Sequence, residues 1–405
     1  MRVKKLLFSI LLLILSLTIA ACSSDTSSKE DKTSEKPSGE KEDIQGGELR
    51  VALSAQPNTL DQQIDSNIYT RDVGRLIFET LVTPDENYKP QPMLAESVNV
   101  SDDSKVYTFK LRKGILFHNG KEMKADDVVA SMNRWMEKSP LAGSVFIGST
   151  FEIKDDYNVV LTLAKPSALA LDIMASPKQA AAIMPKEIIE SATAKGVTEY
   201  IGTGPFKLVE WKQDQFIHFA KNKDYVPLDS KPSGLAGKKE VFVEELYLDI
   251  VTDPSTRLSG LQTEQYDIAY NIGYTDFNQV KNSSNMRPFL DAGGELTYWY
   301  NSIQGIASNP KFREAVNAAL DVNEIMKAAF SEEEFFSLYS SYMNKNIKNW
   351  TSEVGSKYYN QSDPEKAKKL LKDSGYNAVI HVSEPTRLSD IWYAVFCLKK
   401  KRGGG

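Results

Sequence analysis

Tyr107-Thr108-Phe109-Lys110-Leu111-Arg112-Lys113-Gly114 alternates apolar and polar side chains and stops at a glycine, the pattern of a strand running into a turn. Just beyond it, Asp126 or Asp127 can cap a helix that carries Val128, Met132 and Trp135 at i, i+4 and i+7, which sets one apolar stripe toward a core. Working outward toward the N-terminus, Leu49, Val51 and Leu53 alternate with polar residues from Gly46 onward, as in a half-buried strand. Asn58-Thr59-Leu60-Asp61 breaks that strand, and Leu76, Ile77 and Leu81 then fit one face of a helix. Toward the C-terminus, Asn309-Pro310 can open a helix with Phe312, Val316, Ala319 and Leu320 on one face, because proline at the first helical position lacks only a hydrogen that had no partner. Asp363-Pro364 repeats the device for a helix with Ala367, Leu370 and Leu371, and Gly375 is placed to end it in the left-handed region. No internal repeat is visible. Mixed strands and helices at this length indicate α/β or α+β layers rather than a barrel or a bundle.

The N-terminus is organised differently. Arg2, Lys4 and Lys5 precede an apolar run from Leu6 to Leu17, broken only by Ser9 and Ser16, which is the layout of an export signal over residues 1–21. A permanent span needs about 20 predominantly apolar residues and fits less well. Ile19-Ala20-Ala21-Cys22 resembles a bacterial lipobox, in which the cysteine sulfur takes a diacylglycerol. The chain has 2 cysteines, Cys22 and Cys397, too few for a disulfide framework in so large a protein. Residues 22–45 are mostly Ser, Lys, Glu, Asp and Thr, with almost no apolar residue besides Ile44; such a segment cannot bury enough surface to offset its ordering entropy and reads as a solvated tether between a lipid anchor and a folded body.

Composition and motifs exclude several kinds of chemistry. Removing Arg2, Lys4 and Lys5 with the signal takes the net charge from −5 to −8, a poor balance for a nucleic-acid binder, which needs clustered Lys and Arg. His118, His218 and His381 are too far apart in sequence for a local zinc motif, so no metal ligands and no cofactor are assigned. Gly114 to Lys121 has five residues rather than four between its glycines, and Glu122 stands where a phosphate loop carries Ser or Thr, so it reads as a turn. Gly202-Thr203-Gly204-Pro205-Phe206 taken alone is a glycine-rich turn. The nucleophile elbow of hydrolases is missing, and the carboxylates form no readable pair, which argues against an enzyme. Tyr298-Trp299-Tyr300 can be core packing or the wall of a pocket; both readings stand.

Together these motifs resemble the family 5 extracellular solute-binding proteins, the peptide, dipeptide and nickel receptors of ABC importers. Gly47 to Ala52 with Thr59-Leu60-Asp61 is similar to that family's opening strand and turn. The most specific run is Leu94 to Ser97, Ser101 to Asp103, Tyr107 to Gly114, Phe117 to Gly120 and Ala125 to Val128. Gly202 to Phe206, Asn222 to Tyr225, Tyr266 to Ile268, Phe312 to Val316 with Leu320-Asp321, and Pro364 to Tyr376 follow in family order. Among these receptors the chain looks most like the oligopeptide-binding lipoproteins of Gram-positive bacteria. The resemblance implies an α/β, two-lobed periplasmic-binding-protein-like (type II) fold with an extra inserted domain: first lobe 46–83 plus 191–289, inserted domain 84–190, and a second lobe over 290–376. It implies oligopeptides as ligands, pairing with the main chain at Gln56, Pro57 and Asn58, with Tyr274 and Asn301 lining the cleft. It also implies the transmembrane subunits of an ABC permease as partners, a lipid-anchored place on the extracellular face of the cell membrane, a monomer, and no catalytic residues. A nickel or metal-chelate receptor is the alternative within the family.

Past Tyr376 the family pattern stops. Residues 377–405 read as an aberrant tail, with Cys397 followed by Lys399 to Arg402 and three glycines. The expectation is a frameshift or premature stop that leaves the second lobe incomplete, with a nonfunctional truncated remnant as the alternative to a working receptor; a naturally shorter receptor is the other reading of the tail.

Overall fold

The computed structural model describes residues 46–290, 296–297, 299–330, 332–341 and 351–376. The expectations for the export signal, Cys22, the tether, Tyr298 and the tail beyond Tyr376 lie outside the described residues. The strands are β1 (Glu48–Leu53), β2 (Val82–Pro84), β3 (Pro90–Pro92), β4 (Ala95–Val100), β5 (Val106–Leu111), β6 (Thr150–Asp155), β7 (Asn158–Thr162), β8 (Phe206–Lys212), β9 (Phe216–Lys221), β10 (Glu245–Ile250) and β11 (Ile268–Ala269). The longer helices are α1 (Ile68–Gly74), α2 (Ala125–Lys138), α3 (Pro254–Gln262), α4 (Pro310–Ala319), α5 (Val322–Phe330) and α6 (Pro364–Asp373).

A five-stranded sheet has the order β11-β1-β10-β9-β8. β1 runs parallel to both neighbours, with Val51 opposite Leu248 on one side and Ile268 on the other. Its interior position corrects the half-buried expectation: Val51, Ala52 and Leu53 are buried in succession, because a strand with parallel neighbours on both sides is covered on both faces. One core joins this sheet to Leu60, Ile77, Phe78 and Met184.

The strand at Tyr107 to Leu111 is β5, inside an antiparallel sheet ordered β4-β5-β7-β6. Its inward residues Tyr107, Phe109 and Leu111 meet Val128, Met132 and Trp135 of α2 in a second core. The i, i+4, i+7 stripe is therefore buried as its spacing predicts. Trp135 packs edge-on against Phe146 at 5.3 Å and donates its indole N–H to the Gln179 carbonyl at 2.7 Å. The cap differs from expectation: the helix opens after Lys124, and Asp127, already inside the first turn, accepts the Lys124 N–H at 3.1 Å.

Leu76, Ile77 and Leu81 lie beyond α1, which ends at Gly74. The carbonyls of Leu76 and Ile77 accept the N–H groups of Phe206 and Gly204 at 3.0 and 2.7 Å; long-range backbone pairing replaces the helix that the apolar spacing suggested. Beyond Leu290 the described elements are helical. Asn309 and Asp363 cap α4 and α6 from their side chains, each with proline at the helix start. Gly375 closes α6 at φ 76°. The buried face of α4 is Ala315 and Ala318, not Phe312, Val316, Ala319 and Leu320; Ala319 is exposed and the other three half-buried. Small side chains let the start of α6 approach closely enough for the Asp363 N–H to reach the Ala318 carbonyl at 2.8 Å.

Candidate functional site

In open α/β sheets ligands collect outside the carboxyl ends of the parallel strands. Here β1, β10 and β11 share that edge, which continues as Ser54 to Asn58, Val251 to Asp253 and Tyr270 to Tyr274. The last ladder bonds run from Val251 N to Leu53 O (2.8 Å) and from Tyr270 N to Ala52 O (2.9 Å). Among the described residues, no backbone to backbone hydrogen bond involves residues 54–58. This segment thus presents main-chain donors and acceptors at a strand end, the material from which an added strand is held.

The structure distributes the expected site residues unevenly. The Gln56 side chain is committed to the β8–β9 turn: its Nε2 donates to Asp214 Oδ1 at 2.8 Å and its Oε1 accepts the Asp214 N–H at 3.0 Å. Pro57 is buried, and Asn58 Nδ2 donates to Asp65 Oδ2 at 3.3 Å. Tyr274 lies on the stretch that leaves β11, half exposed, with its ring 5.1 Å from Phe330 and 5.0 Å from Phe335. Asn301 closes a local turn by accepting the N–H groups of Ile303 and Gln304 at 3.1 and 3.2 Å. Gln56 to Asn58 therefore stand together at the strand end, while Asn301 is occupied in a turn of its own. Trp299 is 78% exposed, so core packing does not account for it.

Several polar residues at this edge left no mark in the sequence reading. Asn271 Nδ2 donates to Ser54 Oγ at 2.8 Å and to Tyr69 OH at 3.3 Å, and those two hydroxyls are 2.5 Å apart. Arg257 of α3, buried, donates to the main-chain carbonyls that follow β10 and β11. None of these falls in a recognisable spacing, because the partners are distant in sequence or are backbone atoms.

The other motifs form the scaffold under the edge. Asp61 is buried and accepts Arg134 Nη2 at 2.6 Å and the Val197 N–H at 3.1 Å, while Arg134 Nη1 reaches Gln63 Oε1 at 2.7 Å. This network fastens the turn after β1 to α2. A Cβ on Gly202 would lie 2.2 Å from the Ile77 carbonyl oxygen, so glycine is required there by close backbone approach. His118 is held against the same glycine-rich segment, its Nε2 3.0 Å from the Gly204 carbonyl and its Nδ1 accepting from Gly202 N at 3.4 Å. Burial pushes the His118 imidazole down to about 4, which keeps it neutral as a structural hydrogen-bonding group. Gly114 to Lys121 is a turn, closed by Phe117 N to Lys121 O at 2.8 Å, and the Lys121 ammonium is taken by Asp127 and Glu187. Among the described residues no group of three or more His, Cys, Asp and Glu could hold one metal ion.

A cavity of about 550 Å³ lies elsewhere, beside the β2–β3 hairpin, with Asp85, Arg112 and Lys231 in its wall. Two of its polar groups bond within the protein: Arg112 donates to the carbonyls of Val226 and Pro227, and the Asp85 carboxylate accepts the N–H groups of Asn87 and Lys89.

Comparison with known proteins agrees with this architecture. A protein of Sinorhizobium fredii named as a probable peptide ABC transporter periplasmic-binding protein is 30% identical over 74% of this chain and 57% of its own length. The oligopeptide-binding protein AppA of Bacillus subtilis is 26% identical over 78% of this chain and 56% of its own. The chain thus spans a little over half the length of these relatives. Among solved structures, DppA of Helicobacter pylori in complex with the peptide STSA superposes with a TM-score of 0.68 at 25% identity, covering 82% of this chain and 67% of that one. The fold is accordingly the α/β fold of periplasmic binding proteins. Residues 89–387, well over half of the sequence, match the middle region described for bacterial extracellular solute-binding proteins of family 5, and the chain belongs to that family.

Proposed function

We propose that this protein is a receptor that captures oligopeptides outside the cytoplasm and hands them to the transmembrane subunits of an ABC permease. The observation that carries the reading is the continuation of β1: Ser54 to Asn58 leave the sheet at the carboxyl end of three parallel strands with their main chain unpaired by any other backbone among the described residues. An extended peptide adding to such an end is held by main-chain hydrogen bonds, which are indifferent to side-chain identity and suit a ligand of varied sequence. Gln56 contributes its backbone only, since its side chain is committed to Asp214. Pro57 contributes a carbonyl and no N–H. Tyr274 and Asn301 are assigned to the cleft wall. The peptide named with the Helicobacter pylori relative and the names of the Sinorhizobium and Bacillus relatives support the same ligand class.

In this reading the first lobe is 46–83 plus 191–289, the inserted domain 84–190 and the second lobe the stretch from 290. The protein acts as a monomer and a binder, not an enzyme, and is anchored by lipid on Cys22 through the tether of residues 22–45. A thermal melt of the chain from Cys22 onward, with and without a pool of synthetic tetrapeptides to nonapeptides, tests the ligand class. Peptide at roughly 100 times its dissociation constant stabilises the native state by about 2.7 kcal/mol and raises the melting temperature. A melting temperature indifferent to the pool at saturating concentration refutes the peptide assignment.

A further inference from the structure

We propose that Arg257 is a positioning residue for ligand capture, acting through Asn271; the proposal rests on the reading of the strand ends as the ligand face. The arginine is 3% exposed and all four of its hydrogen-bond partners are main-chain carbonyls. Nη1 donates to Val251 O at 2.5 Å and Thr252 O at 2.9 Å, Nε to Tyr270 O at 2.8 Å, and Nη2 to Asn271 O at 2.7 Å. Val251 and Thr252 follow β10, and Tyr270 and Asn271 follow β11. One side chain therefore ties together the two strands that flank β1, at the end where the ligand face begins. The guanidinium is a planar fork with five N–H groups in fixed directions, so what it sets is the spacing of these oxygens.

The consequence appears one residue further on. Asn271 stands at φ 52°, a left-handed conformation that asparagine tolerates better than most residues but that still needs a constraint to fix one orientation of its carbonyl. Arg257 supplies that constraint on the Asn271 carbonyl. Held there, the Asn271 carboxamide spans to Ser54 Oγ and Tyr69 OH, and Ser54 is the first residue after β1. The chain of contacts runs from Arg257 through Asn271 to the start of the unpaired segment, so the guanidinium orders Ser54 to Asn58 without bonding to them. An ordered strand end loses less freedom when an extended peptide main chain pairs with it, which is where preorganisation adds affinity.

The test compares the full chain with Arg257→Lys, Asn271→Gly and Tyr69→Phe. Lysine keeps the charge but offers one ammonium in place of the fork; glycine adopts φ 52° freely but removes the carboxamide; phenylalanine removes only the hydroxyl. The probe is the pool of tetrapeptides to nonapeptides, titrated by thermal shift, with the peptide-free melting temperature as the second readout. All three variants should bind about ten-fold more weakly, while Asn271→Gly and Tyr69→Phe keep the peptide-free melting temperature of the unaltered chain. Wild-type affinity in Asn271→Gly and Tyr69→Phe overturns the proposal, as does an affinity loss that merely tracks lost stability. Absence of binding by the unaltered chain overturns the peptide reading itself and this proposal with it, an outcome separate from unequal binding among variants.

Discussion

Between Gly46 and Leu290, strands far apart in the sequence pair along their length, as Glu48–Leu53 does with Glu245–Ile250, and two cores enclose large side chains such as Phe109, Trp135, Ile77 and Phe219. Between Leu296 and Tyr376 the buried apolar residues among those described are Ala315, Ala318 and Ala367. There the structure is carried by helix caps, by the Asn309 to Ser374 bond at 2.9 Å and by close backbone contact of two helices. The first region gains its stability from apolar area removed from water, at about 25 cal/mol per Å²; the second depends more on hydrogen bonds, each with a net value of about 1 kcal/mol, beside half-buried ring contacts such as Phe312 with Tyr376. The two should respond very differently to comparable damage.

The largest effect is expected at Asp61–Arg134, the buried ion pair at 2.6 Å that fastens the turn after β1 to α2. Arg134→Ala leaves the Asp61 carboxylate buried without its partner, and losses of this kind amount to about 3–5 kcal/mol. Urea denaturation of the variant should show the midpoint for residues 46–290 falling accordingly. A loss below about 1 kcal/mol would place the pair among those that contribute little and remove the main polar link from this region.

Acid should act next, and again on the first region. The folded pKa of His118 is lowered from 6.5 to about 4 by burial, so the folded protein keeps the ring neutral while the unfolded chain takes up a proton below about 6.5. The stability contribution is complete above the unfolded value and is lost as pH falls toward the folded one, at about 1.4 kcal/mol per pH unit and roughly 3 kcal/mol in all. His118→Gln, which can still donate to the Gly204 carbonyl, should flatten this window in a pH series of melts. An unchanged slope would mean that other groups carry the acid response.

How much of this could be seen in the sequence follows the same division. The strand and helix around Tyr107 and Trp135 were legible because alternation and the i, i+4, i+7 stripe are local patterns with a core on one side. The caps at Asn309, Asp363 and Gly375 were legible because Asn-Pro, Asp-Pro and glycine act within a few residues. Leu76 to Leu81 was misread as helix because its conformation is set by pairing with Gly204 and Phe206, more than a hundred residues away. Gln56 follows the end of β1, and its side chain answers to Asp214, a partner 158 residues away that no local pattern marks. Arg257 and Asn271 gave no signal: a side chain that bonds to carbonyls can be served by any residue type at the other end, so no pairing of letters betrays it.

A smaller effect is expected in the second region. Asn309→Ala removes the cap on Lys311 N and the link to Ser374, at a cost of about 1 kcal/mol. Amide exchange should quicken in Pro310–Ala319 and Pro364–Asp373 while the unfolding midpoint of residues 46–290 stays where it was. If the substitution instead lowers that midpoint, the two regions unfold as one cooperative unit and the contrast between them fails.

The smallest effect sharpens the contrast from the other side. Leu296, Ile303 and Val354 are 69%, 92% and 85% exposed, so most of their apolar area remains in water in the folded chain and contributes little to its stability. Changing all three to serine should move stability by no more than about 0.5 kcal/mol per site, because little burial is lost. It should at the same time reduce binding of a hydrophobic dye and self-association, since exposed apolar side chains of this size are what such probes detect. The comparison with Trp135→Ala, for which a loss of about 3–5 kcal/mol is expected, then reads the difference between regions directly: a large response where the side chain is enclosed and almost none where it is not. A marked drop in melting temperature for the triple variant would mean that these side chains are covered in solution, and that the second region is held by apolar contacts after all.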